Sequence, residues 1–473
     1  MYKSTFMGLN TALRGVLAHQ NALDVTGHNI ANLSTDGYTR QRAEMVTAPA
    51  WSNSSALSAT TPGQMGTGVE VLRIERLRDQ FIDATVRQQF GRQGDSQAMV
   101  EQLAQVEAAF QEPGENGLKA LYSNFFSKMD AVAANPQSMS ARQAFMEAGN
   151  ALAQGFNQVS ADLQAVATQS DLRLNDTVTQ VNGISARIAA LNSEIRNAID
   201  HKHQPNDLLD ERDRLMDSLS KLINFTSTEA PTGEVTITAF SGGSALVIVD
   251  PTVAPGSANI ARVDIDNAFA AGDLTGGRAL ADETIWNPLT GVINGAGGYI
   301  PQLDALVADF TAGINAAHAA GFDLTGAAGF PLFAGATAAT VNFVLASPTG
   351  VAAASSWVGP GEPGNGTNFR NILDLTRIAG QVALGGQSWE NFYTSTITAV
   401  GAQAESANRD MANADVLVDM AKSRRDQVSG VSLDEEMSNM LRFQHAYNAS
   451  ARVMSAIDES LDVLINRMGR VGL

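Results

Sequence analysis

The residues best suited to chemistry in this 473-residue chain are His201 and His203, with Asp200, Asp207 and Asp210 beside them, a set of imidazoles and carboxylates of the kind that ligates zinc. On a helix, side chains at i and i+2 point about 200° apart and cannot meet one ion; on a strand or loop they can. The sequence is helical up to Asp200 and breaks at Pro205-Asn206, so the pair reads as a solvated helix end. The alternative is a metal site in a secreted metallohydrolase. Asp210-Glu-Arg-Asp-Arg214 and Asp434-Glu-Glu436 could serve acid–base catalysis, but mixed charge on an exposed helix face explains the first and compensation of a helix dipole the second. Ser241-Gly-Gly-Ser244 lacks the flanking glycine and the strand-to-helix context of a nucleophile elbow or phosphate loop. With no P-loop, dinucleotide fingerprint, His-Glu-x-x-His or cysteine, the expectation is no catalytic residue, no metal and no cofactor.

The elements that would position such residues are mostly helical. Residues 47–68 are rich in Ser, Thr, Ala, Gly and Pro and read as a loop, and Val69–Ile74 as a short strand. Helical periodicity covers Leu77–Phe110, stops at Pro113-Gly114, and resumes over Leu118–Ala134 and from Ser140 to Asp200, where Ser140 and Gln143 fit a capping box. Leu208, Arg212, Leu215, Leu219 and Leu222 continue the pattern after Pro205. Glu234–Phe240 alternates, Ser241–Ser244 turns and Ala245–Val249 is apolar, which predicts a hairpin; Arg262–Ile265 reads as a further strand. Ile300–His318 and Trp389–Arg425 are helical, with a Gly- and Ala-rich insertion at Gly321–Phe369.

The formal net charge of −18 argues against a nucleic-acid partner. Residues 1–50 carry +1 and residues 431–473 carry −2, so the acidity lies in the middle and the near-neutral ends suit burial against identical copies. No apolar run approaches a membrane span, and Met1–Gly8 does not have the make-up of a cleaved signal peptide.

Both ends carry coiled-coil periodicity. Phe6, Leu9, Leu13, Val16, Gln20, Leu23, Gly27 and Ile30 step 3-4-3-4-3-4-3, a seam with Gln20 as a polar register residue. The helix must then stop: Asn29 and Asn32 tolerate left-handed backbone, Ser34, Thr35 and Asp36 bond their own backbone, Gly37 takes positive φ, and Tyr38 follows as an anchor. At the other end Ser432 and Glu435 fit a capping box, and Tyr447, Ala451, Met454, Ile457, Leu461, Leu464 and Met468 repeat the seam, with Gln444 close to it.

The stretch Asn29-Ile-Ala-Asn-x-x-Thr-x-Gly-Tyr38 resembles the N-terminal signature of bacterial flagellar axial proteins. Ser429-Gly-Val-Ser-Leu-Asp-Glu-Glu436, Leu441-Arg-Phe-Gln444, Ala446-Tyr447 and Leu461-Asp-x-Leu-Ile-Asn466 resemble the C-terminal signature of the flagellar hook-associated protein 1 family, the first of the hook–filament junction proteins. Matches inside the chain include Asn135-Pro136, Asp207–Leu215, Asn315, His318 and Gly326–Phe333. The resemblance implies a mainly α fold: terminal coiled-coil helices (1–50 with 431–473), a long helical-bundle domain (51–328 with 371–430) with a β-hairpin region near 225–300, and a small irregular or β insertion at 329–370, where larger relatives carry an outer β-domain. It also implies export through the flagellar type III channel without a cleaved signal and self-assembly at the hook–filament junction. The implied partners are copies of itself, the hook protein, the second junction protein leading to the filament, and an export chaperone on the C-terminal helix. The assembly interface would comprise Phe6, Leu9, Leu13, Val16, Gln20, Leu23, Asn29, Ile30, Asn32, Gly37 and Tyr38, with Leu441, Phe443, Gln444, Tyr447, Met454, Ile457, Leu461 and Leu464. Another axial subunit, of hook or distal rod, is the alternative within this class.

Overall fold

The computed structural model describes residues 6–50, residues 66–357 apart from 113, 115, 116 and 254–256, residues 359, 366–370, 373 and 384, and residues 386–463. Helix α1 (Phe6–Ala31) is followed by an antiparallel pair, β1 (Gln41–Thr47) and β2 (Val69–Arg76), whose register slips between Glu44 and Met45. Then come α2 (Gln80–Phe110), α3 (Leu118–Ala134), α4 (Met139–Asp200) and α5 (Asn206–Ser220). Strands β3 (Phe225–Glu229), β4 (Val235–Ala239) and β5 (Leu246–Val249) form an antiparallel sheet in that order. Helices α6 (Arg262–Ala271), α7 (Arg278–Trp286) and α8 (Tyr299–Ala319) lead to the short pair β6 (Phe333–Ala334) and β7 (Asn342–Phe343). The chain returns along α9 (Trp389–Ser429) and α10 (Leu433–Asp462).

Helix α4 spans 62 residues, about 90 Å at 1.5 Å per residue. No helix of that length is held by propensity; it is held because two separate cores load it from its sides. Its first half gives Phe145, Leu152, Phe156 and Leu163 to a core with Phe125 of α3, Phe310 of α8, and Phe333 and Phe343 of the insertion. Its second half gives Leu174, Val181 and Ile188 to a core with Leu219, Ile237, Ile248 and Ile265. Each such side chain, fully buried, contributes roughly 1.5–3 kcal/mol. Val418 of α9 closes a smaller cluster with Ile82, Val86 and Phe90 of α2, so the outgoing and returning helices run antiparallel.

Several sequence expectations change. Arg262–Ile265 is the first turn of α6, not a strand; the Asp264 carboxylate accepts from the Ala261 amide at 2.7 Å, a helix-start bond that wins over local β propensity. The start of α4 is capped by Ser138, which accepts from the Ala141 amide at 3.3 Å, rather than by Ser140, and Gln143 bonds Glu147 instead. Ser432 occupies the N-cap of α10 but makes no side-chain cap bond, and the Glu435 carboxylate, the other arm of a capping box, pairs with Arg40 instead. Residues 41–47 form a strand that pairs with β2. Most of the 47–68 loop lies outside the described residues, as does Leu464. Within the insertion, Leu332, Phe333, Val341 and Val351 belong to the same core as α3 and α4.

Gly94 on α2 sits where a Cβ would lie 2.2 Å from the Lys221 carbonyl oxygen at the end of α5. Gly94→Ala should therefore push the two helices apart and cost about 1–3 kcal/mol despite alanine's better helix propensity. Urea unfolding measures this, and an unchanged or raised midpoint would rule out so close an approach.

Candidate assembly interface

The turn after α1 is organised by one buried amide. Asn29 uses all four of its hydrogen-bonding positions. Its Nδ2 donates to the Gln41 carbonyl at 2.8 Å and to Glu436 Oε2 at 3.0 Å; its Oδ1 accepts from the Gln41 amide at 3.0 Å and from the Tyr38 hydroxyl at 2.7 Å. Since that hydroxyl donates to Asn29, it accepts from His28 Nδ1 at 3.0 Å. Burial, then the charges of Asp210, Asp207 and Glu436, push the Tyr38 phenol upward, which keeps it a donor at any working pH. Gly37 takes φ 78° under the aliphatic stem of Arg214, and Asn32 and Thr35 bond across the turn.

Glu436 is 2% exposed, and a carboxylate so buried requires partners. Arg40 supplies its Nε at 2.9 Å and Nη2 at 2.7 Å, while its Nη1 reaches Glu435 at 2.7 Å. The Arg40 amide also donates to the Ser429 carbonyl at the end of α9 at 2.9 Å. The two ends of the chain are thus joined at one node.

From this node α1 and α10 run side by side. The buried face of α1 is made largely of small residues, Ala12, Gly15, Ala18 and Ala22, then Val25, and it packs on β1 and β2 as well as on α10. A Cβ on Gly15 would lie 2.9 Å from Ser450 Oγ, and one on Gly8 3.1 Å from Ile457. His19 stacks on Phe443 at 6.4 Å. On α10 the covered or half-covered face is Phe443, Tyr447, Met454, Ile457 and Leu461, as the sequence period indicates. On α1 the expected seam is displaced. Leu9, Val16, Leu23 and Ile30 are half-buried, whereas Phe6, Leu13 and Gln20 are exposed, because close packing selects the small-residue stripe. Leu441 and Gln444 are exposed too. Within the pair, register is fixed by Asn29 and Glu436 rather than by the glutamines. Asn32 and Tyr38 are half-buried and Gly37 is exposed.

Beneath the node lies a buried ion network that the sequence disguises as an exposed mixed-charge face. Asp210 accepts from the Thr39 amide at 3.0 Å and pairs with Arg76 at 2.8 Å. Asp213 meets Arg76, Arg78 and Arg87, and Asp217 meets Arg87 at 3.0 Å and Arg425 at 2.6 Å. Asn206 donates to Gln41 Oε1 at 3.1 Å and to the Ile74 carbonyl at 3.0 Å. Five elements are locked together: the exit turn, β2 with the turn after it, α2, α5 and α9. Burial alone would raise the Asp213 carboxyl, but Arg78, Arg76, Arg87 and Arg212 outweigh it and hold it below the usual carboxylate range. The signal available beforehand was the step of three and four between Asp210, Asp213 and Asp217, one helix face opposite unassigned arginines.

His201 and His203 are exposed at the end of α4; His201 Nδ1 bonds the Asn197 carbonyl at 2.7 Å. Among the described residues no group of three or more His, Cys, Asp or Glu could hold a metal ion, and no helix is long and apolar enough to cross a membrane. The cavities near the node are a polar one of 280 Å³ between the turn and α5, and one of 320 Å³ between α1, β1 and α10.

Comparison with known proteins agrees with this geometry. Residues 9–39 match the family model "Flagella basal body rod protein", and residues 423–468 match "Flagellar basal body rod FlgEFG protein C-terminal". Rod-type sequence on each of two paired terminal helices places the chain among the axial structural proteins of the bacterial flagellum. Residues 103–333 match "Flagellar hook-associated protein FlgK helical domain". Flagellar hook-associated protein 1 of Bacillus subtilis is 32% identical over 98% of this chain and 99% of its own length; that of Escherichia coli is 26% identical over 97% and 99%. The chain belongs to the flagellar hook-associated protein 1 family. The flagellar hook junction protein FlgK from Burkholderia pseudomallei shares the fold, with a TM-score of 0.57 and 15% identity over 73% of this chain and all of that one.

Two outcomes follow for the node and the network. Asn29→Leu strands the Gln41 amide and one Glu436 oxygen, and should cost about 3 kcal/mol or more, read as lost amide protection along α1. Asp213→Asn should weaken stability by several kcal/mol at pH 7. Because the folded Asp213 carboxyl lies below its unfolded value of about 3.9, its stabilisation is complete above that value and is lost as pH falls through the folded one. The gap between variant and native protein in urea unfolding should therefore shrink on acidification, and a constant gap would contradict the ion network.

Proposed function

We propose that this chain builds an adapter layer between flagellar hook and filament, and that its copies join through the terminal helices. The observation that carries this is the apolar surface left over once α1 and α10 have paired. Phe6, Leu13 and Leu17 stay exposed on α1, and Leu433, Met437, Leu441 and Val453 on α10. Among the described residues of α10 only Glu436 and Leu461 are buried. Ordering a helix costs roughly 1–2 kcal/mol of backbone entropy per residue, and one narrow interface of small residues does not recover that. A second apolar contact is required, and a neighbouring copy supplies it: one stripe of a subunit meets a different stripe of the next, the heterologous arrangement that gives rings or helical stacks.

In this reading residues 1–50 with 431–473 form the inner layer, the helical bundle of 51–328 with 371–430 lies outside it, and 329–370 is the insertion. Phe6, Leu9, Leu13, Val16, Gln20, Leu23, Ile30, Leu441 and Gln444 are available to neighbours, while Asn29 and Tyr38 shape the exit from the layer. Hook protein adjoins one side and the second junction protein the other. The chain reaches this place by flagellar export, with a chaperone covering the C-terminal helix.

Cells lacking the protein should build hooks, shed flagellin into the medium and fail to swim, and the intact gene should restore motility. Normal filaments on the deleted strain would refute the adapter reading. In the isolated monomer, the pairing of α1 with α10 should leave amides of residues 6–31 partly protected, exchanging faster than those of α4, and assembly should add further protection. Full protection along α1 before assembly would contradict self-association as the step that completes the inner layer.

A further inference from the structure

The segment 321–357 is strapped over one end of the bundle by two buried side chains. Arg142 of α4 is 1% exposed and donates Nε to the Pro136 carbonyl at 2.7 Å and Nη1 to the carbonyls of Val351 at 2.6 Å and Pro348 at 3.2 Å. His318, at the end of α8, has no exposed surface; its Nε2 lies 2.8 Å from the Ala352 amide and its Nδ1 lies 2.5 Å from the Phe330 carbonyl. An amide N–H can only donate, so Nε2 accepts and carries no proton, while Nδ1–H donates to Phe330. Only the neutral ring satisfies both ends of the strap. Aromatic side chains join strap and bundle: Phe343 of the strap and Phe369 beyond it rest on Phe145, and Phe333 of the strap rests on Phe125 and Phe310.

We propose that His318 is a proton-operated latch: a proton on Nε2 sets N–H against the Ala352 N–H, adds a positive charge beside Arg142, and releases the 321–357 strap from the bundle end. The charged groups acting on the ring are Arg142 from α4, which opposes protonation, and Asp323 from the strap, which favours it but is engaged with the Thr325 and Ala327 amides at 2.8 and 2.9 Å. The ring of Phe369 adds an apolar wall 6.2 Å away. Burial is the largest influence, followed by the opposing bond to Phe330 and then by Arg142, and together they lower the ring to about 4.

The sign follows from linkage. The folded value lies below the unfolded one, so the latch is fully closed above about pH 6.5 and weakens as pH falls toward 4. Between pH 7 and pH 4.5 the opening equilibrium should rise on the order of fifty-fold. Hydrogen exchange by mass spectrometry, corrected for intrinsic rates, reads this directly. Peptides covering 321–357 should lose protection over that interval while those of α2 keep theirs, and His318→Gln should show no such step. The native ring, followed by NMR, should titrate near 4, which tests the latch even if the variant folds poorly. Protection that does not change with pH, loss shared equally by α2, an equal step in the variant, or a ring titrating near 6.5 would each overturn the proposal.

Discussion

A carboxylate buried at the junction of the last two helices sets the geometry of the whole chain. Glu436 lies 407 residues from Asn29, yet its two oxygens are divided between the Asn29 amide and the Arg40 guanidinium. A buried carboxylate without partners is costly by several kcal/mol. The first and last helices must therefore meet at this point and in one register. From it α1 and α10 pair through glycine and alanine, which brings their backbones close and turns their larger side chains outward.

That geometry reaches the helical bundle through ions rather than apolar packing. The Thr39 amide on Asp210, Arg76 and Arg78 on Asp213, and Arg425 on Asp217 tie the exit turn, the β2 region and α9 to one face of α5. Helix α5 in turn shares its core with the second half of α4. The terminal helix pair thus connects to the long helix α4 through charge pairs of defined direction, and directional bonds fix an angle between elements better than an apolar contact does.

The sequence made most of this fold legible where helices are long and strongly periodic. The bounds of α3 and nearly those of α4 and α8 could be read from periodicity, helped by Pro136 and Pro205 after the first two and Gly321 after the third, and the terminal signatures carried the family. What could not be read depends on distance partners. Asp210 and Asp213 look like surface charges until Arg76, Arg78 and Arg87 arrive from elsewhere in the chain. Arg262–Ile265 looks like a strand until Asp264 caps it. On α1 the large apolar residues define the seam to the eye, but the partner helix selects the small ones. Hydrophobic period finds the faces of a helix; it does not say which face meets which neighbour.

The most direct test of the central claim, that the chain's own two ends pair through the small-residue face of α1, uses its lack of cysteine. A Cβ on Gly15 would lie 3.4 Å from the Ser450 Cβ, close to the separation a disulfide spans. With Gly15→Cys and Ser450→Cys in one chain, mild oxidation of dilute monomer should give an intramolecular bond, seen as a faster-migrating band of monomer mass. Free thiols after oxidation, or only cross-linked dimers, would show that the first and last helices of one chain do not meet in this way.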